Sequence, residues 1–234
     1  MPITTPAPSA TEAESGLPPK RQRVRRGNAD DAERMRTDLL QAAMNLFEQG
    51  GVEAVSVRGV AARVGVSAMA PYRYFANRAD LLNGLWQQVM ELLYTHLQEA
   101  IDGIDRPLER HRAFIRGYFD FWEPRRNEFR LVYETQGLQM LNESVAHGDT
   151  SALKAIVELG RDVSTRVALA LNQSTAHVAL ASELRVALMF GYMQARMVNR
   201  RYPWSDMQAL KETCIEQIAC AAERVLADGA PAGS

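Results

Sequence analysis

The sequence SVRGVAARVGVSAMAPYRYF, residues 56–75, contains two short helix-forming segments on either side of one glycine. Ser56 is a favoured N-cap residue, and apolar residues follow it at the three- and four-residue spacing of a buried helix face. Gly65 can adopt the positive φ that a tight turn requires, and Ser67 can cap a second helix. Two short helices joined by such a turn form a helix-turn-helix. The spacing therefore predicts this motif, although glycine-centred corners also occur in many other all-α proteins.

The residues upstream predict one more helix and, before it, a basic tail. Apolar residues recur at helical spacing over residues 31–47, and Gly50-Gly51 is expected to end that helix. Residues 1–28 are rich in proline and small polar residues and are expected to be disordered. The run from Lys20 to Arg26 carries five positive charges in seven positions. Such a run is usually a solvated tail, and the alternative is an arm that reaches phosphates or a minor groove.

Three spaced motifs in this region resemble the TetR family of bacterial transcriptional regulators. They are LQAAMNLF at residues 40–47, the segment 56–67, and PYRYFANRADLL at residues 71–82. The match covers residues 31–85 and is specific because three motifs agree in order. The resemblance implies a helix-turn-helix DNA-binding domain over residues 29–78.

Both the residue types and the family pattern indicate which side chains contact DNA. Tyrosine hydroxyls and guanidinium groups suit phosphates, whereas Arg73 suits a guanine edge and Met69 a thymine methyl. Tyr74 stands where the family usually has histidine, and Arg78 where it usually has lysine, but both can reach a phosphate. Packing inside the motif is an equally good interpretation of Met69. The expected DNA-binding residues are Ser56, Arg58, Ser67, Ala68, Met69, Tyr72, Arg73, Tyr74 and Arg78.

The rest of the chain has helical periodicity without the alternation typical of strands, so an all-α fold is expected. Residues 79–228 should form a C-terminal helical domain, and residues 229–234 a short disordered tail. Helices are expected at residues 81–101, 107–122, 127–140, 151–171, 175–202 and 205–227, with a loop over 142–150. By the family resemblance, the last two helices pair with those of a second copy in a four-helix bundle. Their apolar residues could equally belong to the core of one subunit.

The resemblance also implies a small-molecule effector pocket between the long helix after the motif and its neighbours. Aromatic and sulfur-containing side chains at helical spacing are the candidates, although such a stripe is more often core than ligand cage. The pocket candidates are Trp86, Met90, Tyr94, Phe114, Tyr118, Trp122, Phe129 and Tyr133. No cofactor or metal is expected.

Composition and charge exclude several classes of protein. The 234 residues have a net charge of -1, but residues 17–78 hold 11 Lys and Arg against 6 Asp and Glu. Cys214 and Cys220 are too few for a disulfide framework or a thiolate zinc site. Residues 178–198, the most apolar stretch, are interrupted by charges and cannot be a membrane span. We expect a cytoplasmic bacterial protein without a membrane partner.

These observations predict a DNA-binding transcriptional regulator that is not an enzyme. The sequence contains no Glu-x-x-His pair, His-x-x-x-His pair, glycine-rich phosphate loop or nucleophile elbow. The expected mode of action is repression from a palindromic double-stranded operator, bound by a homodimer and released by a small-molecule effector. The alternative is an all-α adaptor that binds partner proteins and no DNA.

Overall fold

The computed structural model describes residues 21–133, 150–199 and 201–228, and within these ranges all regular structure is helical. Contacts divide the chain into two compact units, residues 1–38 and residues 39–234. The described helices are α1 (Arg21–Ala54), α2 (Val57–Val64), a 3-10 helix (Ala70–Arg73), α3 (Arg78–Ile101), α4 (Pro107–Trp122), α5 (Arg126–Tyr133), α6 (Ser151–Ala170), a second 3-10 helix (Thr175–His177), α7 (Val178–Val198) and α8 (Met207–Asp228). The all-α class expected from the sequence is confirmed.

The described part of the first unit is helical from Arg21, whereas the sequence predicted disorder up to residue 28. The chain has no proline between Pro19 and Pro71, and the arginine and glutamine residues that follow Pro19 are good helix formers. The helix therefore begins earlier than the proline-rich composition suggested. The expected tails at residues 1–20 and 229–234, and most of the loop expected at 142–150, lie outside the described residues.

Helix α1 contains a break where the sequence places two glycines. Gly50 and Gly51 have non-helical backbone angles, and Gly51 has a φ of 70°. The prediction that Gly50-Gly51 interrupts this helix is therefore confirmed, and a last short helical piece ends at Ala54. Val55, directly after it, is fully buried and leads into the cap of α2.

Helix α2 is held at both ends by the residues that the sequence singled out. The Ser56 hydroxyl oxygen accepts a hydrogen bond from the Gly59 backbone N–H at 3.0 Å. Gly65 ends the helix with a φ of 80°, and its N–H donates to the Ala61 carbonyl. Only a residue tolerant of positive φ can make this turn without strain, which is why glycine occupies it.

In the C-terminal part, α4 packs against α3, α5, α6, α7 and α8. Helix α3 begins at a reciprocal cap, in which the Asn77 side chain accepts from the Asp80 N–H and the Asp80 carboxylate accepts from the Ala76 N–H. Ion pairs join α4 to α8, including Arg116 with Glu212. Because four of the apolar α8 residues are buried within the subunit, they form an intramolecular core rather than a free dimer face: Ile215, Ile218, Ala222 and Leu226.

Candidate nucleic-acid interface and effector cavity

The second segment of the helix-turn-helix is a short 3-10 helix rather than the α-helix expected over residues 68–75. The Ala70 N–H donates to the Ser67 carbonyl at 2.9 Å, and the Pro71 carbonyl accepts from both Tyr74 and Phe75 N–H groups at 2.9 Å. Pro71 has no N–H to donate, so it cannot make the i→i−4 bond to the Ser67 carbonyl, which accepts from the Ala70 N–H instead. Proline is tolerated in the first turn of a helix, and the Phe75 N–H still makes an α-type bond to the Pro71 carbonyl.

This segment has one buried side and one exposed side. Pro71 is buried and Phe75 is 2% exposed, so both ends of the segment are anchored in the core. Met69, which precedes Pro71, is 70% exposed. Tyr72 and Arg73, which lie between Pro71 and Phe75, are also exposed, Tyr72 to 44%. The core anchors therefore hold a small set of side chains outward, where they can contact a ligand.

Seven of the nine expected DNA-binding residues lie on the exposed surface of the motif: Ser56, Arg58, Ser67, Ala68, Met69, Tyr72 and Arg73. With its side chain 70% exposed, Met69 does not pack inside the motif in this structure. Tyr74 is half-buried, which leaves part of its side chain accessible. Ser56 accepts from Gly59, so its own hydroxyl hydrogen is still available to donate to a phosphate.

Arg78 has a different environment from the phosphate clamp that the sequence predicted. Its Nε donates to the Val55 carbonyl at 2.7 Å and its Nη2 to the Val52 carbonyl at 2.5 Å. Nη2 also lies 3.7 Å from a carboxylate oxygen of Glu53. These contacts attach the first residue of α3 to the end of α1. Sequence reasoning missed this because the partners are 23 and 26 residues away.

A cavity of about 500 Å³ lies among helices α3 to α7. Four of the eight expected pocket residues line it: Met90, Phe114, Tyr118 and Tyr133. The hydroxyl groups of Tyr118 and Tyr133 lie 3.2 Å apart, and burial raises the pKa of Tyr118 well above its usual value. Two phenol groups that remain neutral at neutral pH can orient a ligand by hydrogen bonding.

The other four candidates, Trp86, Tyr94, Trp122 and Phe129, do not line this cavity. Trp122 and Phe129 are completely buried and pack edge to face with ring centroids 5.5 Å apart. Trp86 is also buried, and the Tyr94 hydroxyl accepts a hydrogen bond from Gln98 at 2.9 Å. Aromatic periodicity marks both core and cavity side chains, so it could not separate the two groups.

The sequence analysis missed the side of the cavity formed by α6 and α7. Its lining includes Ile156, Val157, Gly160, Arg185, Val186 and Phe190. The signal that could have found it is Arg185, one of the few charges in the otherwise apolar stretch 178–198. In the sequence alone, the charges of this stretch only argue against a membrane span. In the described ranges, no helix is long and apolar enough to cross a bilayer.

The fold and the exposed motif define a helix-turn-helix protein with a separate helical domain that contains a cavity. Residues 39–85 match the family model described as "Bacterial regulatory proteins, tetR family". The part of the chain that contains the motif is therefore of the TetR type, which confirms the resemblance seen in its sequence.

Several curated relatives of the chain are HTH-type transcriptional regulators. The chain is 30% identical over 110 residues to the HTH-type transcriptional activator FasR of Mycolicibacterium smegmatis, covering 47% of this chain and 50% of the relative. It is 22% identical over 108 residues to the HTH-type transcriptional repressor KstR2 of Mycobacterium tuberculosis, covering 46% and 54%. The chain thus spans about half the length of the curated relatives it matches.

Solved structures with the same fold extend over most of the chain. The transcriptional regulator FadR from Bacillus subtilis, in complex with stearoyl-CoA, has a TM-score of 0.61 at 19% identity and covers 79% of this chain and 98% of its own. A protein with unknown function from Rhodococcus sp. RHA1 has a TM-score of 0.61 at 20% identity and covers 82% and 95%. These likenesses establish the two-part architecture.

Proposed function

We propose that the protein is a sequence-specific DNA-binding regulator, most simply a repressor, that acts in the bacterial cytoplasm. The single observation that supports this proposal best is the arrangement of the segment around Pro71. Buried Pro71 and Phe75 hold Met69, Tyr72 and Arg73 outward on a segment that packs against α2. These are the chemical groups that contact phosphates and base edges in a major groove.

The proposed binding unit is a homodimer on a palindromic operator. The small DNA-binding domain of one subunit buries too little surface to select a site in a genome. The two domains of a dimer can enter successive major grooves. Exposed apolar side chains on α7, including Leu180, Leu188 and Val198, offer surface for a second copy. The proposed DNA-binding domain is residues 29–78, and the proposed effector-binding and dimerisation domain is residues 79–228. The basic run at residues 20–26 is proposed to contact the DNA backbone.

A small-molecule effector is proposed to release the DNA. The two DNA-binding domains of the dimer can lie at different distances from each other. If a ligand in the cavity binds more tightly to the conformation with one of these distances, it shifts the population toward that conformation. The cavity volume of about 500 Å³ lies within the usual range for small-molecule sites. FadR of Bacillus subtilis, which shares the fold, was solved with stearoyl-CoA, and that precedent is compatible with a ligand in this domain.

An electrophoretic mobility shift with DNA from upstream of the protein's own gene tests the proposal. We expect a shift that weakens steeply as salt rises, because phosphate contacts release counterions. Unrelated DNA of the same length is the control and should compete only at much higher concentration. No shift at low salt would favour the partner-binding adaptor instead, and a monomer at micromolar concentration in light scattering would contradict the dimer.

A further inference from the structure

The cavity in the C-terminal domain is mostly apolar but contains one deeply buried cation. Its walls are formed largely by aliphatic and aromatic side chains of α3, α4, α6 and α7. Arg185 on α7 lines the same cavity and is only 1% exposed. A buried guanidinium is expensive unless an anion or several hydrogen-bond acceptors compensate for the lost water.

Neutral groups satisfy this guanidinium only in part. Nη1 donates to the Ser164 hydroxyl and Nη2 to the Gly160 carbonyl, each at 2.8 Å. The guanidinium carbon also lies 4.8 Å from the centre of the Phe114 ring. Among the residues that the structure describes, Nε has no hydrogen-bond partner. The two bonds named above use two of the five N–H groups, so donors of this guanidinium are left for a carboxylate.

No carboxylate from the described ranges forms an ion pair with Arg185. Glu223 on α8 is engaged elsewhere, because its Oε1 lies 3.1 Å from Arg112 and 3.5 Å from His111. Glu183 lines the cavity but is exposed, as is Arg161. The charged groups of the lining are thus two cations and one anion, and the buried one is a cation.

The position of the guanidinium is fixed by its surroundings. A Cβ atom at Gly160 would lie 2.6 Å from Arg185 Nη2, so glycine leaves the space that the guanidinium occupies. The Ser182 hydroxyl donates to Ser164 at 3.0 Å, which directs the Ser164 oxygen toward Arg185. Burial lowers the pKa of Arg185 to about 10, so it still carries its charge at neutral pH. A fixed, charged donor in an apolar cavity suits an anionic group attached to an apolar body.

We infer that this cavity binds an amphipathic carboxylate, with its carboxylate paired to Arg185 and its aliphatic part against the apolar walls. As the identity of an effector, this inference rests on the proposed function; as a binding site it stands on the cavity alone. The exposed Arg161 is not the anchor, because water screens an exposed charge and reduces its contribution to affinity.

Isothermal titration of the full chain with decanoate and with 1-decanol at neutral pH tests this pairing. The two probes share a chain length and differ in the charged head. We expect decanoate to bind at least about tenfold more tightly, as a charge-assisted contact in a dry site requires. Equal affinity for the two probes, or no binding of decanoate, would overturn the proposal.

Variants then identify the anchor. Arg185→Met should reduce decanoate affinity to that of 1-decanol and leave 1-decanol affinity unchanged, whereas the matched variant Arg161→Met should change the ratio less than twofold. A loss of selectivity in Arg161→Met alone would overturn the role of Arg185. If Arg185→Met fails to fold, Gly160→Ala displaces the guanidinium by its new methyl group and should weaken decanoate binding selectively.

The titration contains no DNA, so it separates this inference from the proposed function. Decanoate binding without any operator shift would support the site and contradict the regulator. An operator shift with equal affinity for decanoate and 1-decanol would support the regulator and overturn the site. If both hold, decanoate added to the bound operator should release it, and Arg185→Met should need higher concentrations for the same release.

Discussion

The guanidinium of Arg78, at the first position of α3, donates to the carbonyl of Val55, just after the end of α1. Together with its bond to Val52, this contact joins α1 and α3, the two helices that flank the motif in sequence. An arginine that was expected to contact a phosphate therefore also holds the scaffold of this region together, and its contact with a phosphate stays a prediction.

Replacing Arg78 should reduce stability before it affects DNA recognition. Arg78→Ala removes two charge-assisted hydrogen bonds to part-buried carbonyls, and we expect about 1–3 kcal/mol loss in the free energy of unfolding. Urea denaturation of Arg78→Ala measures this, with Arg78→Lys as a milder replacement that keeps the charge. An unchanged free energy of unfolding combined with weaker DNA binding would return Arg78 to the role of a phosphate clamp.

Replacing Tyr72 should weaken DNA binding without affecting the fold. Its side chain is 44% exposed and is proposed to contact a phosphate, so Tyr72→Ala should cost about 0.5–1.5 kcal/mol on every DNA sequence. Mobility shifts with operator and with unrelated DNA should weaken by the same factor. Tyr202→Ala, at an exposed tyrosine outside the motif, is the control and should have no effect.

Arg73 and Tyr72 are neighbours but should behave differently. If Arg73 contacts a base edge, Arg73→Ala should lose about 1–3 kcal/mol at one base pair and little at the others. Selection of bound sites from random DNA would show relaxed preference at that position. The exposed Arg166 on α6 provides a matched control, and a uniform loss of affinity across all sites would place Arg73 on the backbone instead.

Met69 offers a test of recognition that is independent of folding. Because its side chain is 70% exposed, Met69→Ala should change the free energy of unfolding by less than about 0.5 kcal/mol. The same variant should alter which base pair is preferred at one position of the selected site. A clear loss of stability would show that Met69 packs in solution, and an unchanged preference would remove it from the set of base contacts.

His111 makes stability depend on pH. Burial lowers the pKa of its imidazole, and the nearby Arg185 and Arg112 add to the effect against the opposing pull of Glu223. The unfolded chain therefore binds this proton at higher pH than the folded chain does, so stability falls as pH drops below about 6.5.

The measurement is the free energy of unfolding between about pH 7.5 and 5.5. In this range Glu223 contributes little, because the neighbouring His111 and Arg112 hold the pKa of its carboxyl below the usual value. His111→Gln should flatten the dependence, and an equally steep loss in that variant would assign it to other groups.

Local signals predicted most of the helices. Helix α4 begins at Pro107 and ends at Trp122 as expected, because proline is favoured in the first turn and Pro124 prevents continuation. Likewise, α2 begins after Ser56 and ends at Gly65, and each of these caps depends on a contact with a residue three or four positions away. Capping and turn chemistry act over such short distances that the sequence displays them directly.

The misses share another cause, which is dependence on contacts between distant residues. The role of Arg78 is set by carbonyls on another helix, and that of Arg185 by α6. Whether an aromatic side chain lines a cavity, like Phe114, or fills the core, like Trp122, depends on packing that periodicity does not encode.

In the segment around Pro71, the residues that maintain the fold differ from the residues that face outward, because Pro71 and Phe75 anchor it in the core. The residues that maintain the backbone path are hidden, and those that face outward at positions 69, 72 and 73 add little to the folding free energy. If this outward set contacts DNA as proposed, descendant proteins can exchange it, and with it the DNA sites they bind, while they inherit the same framework.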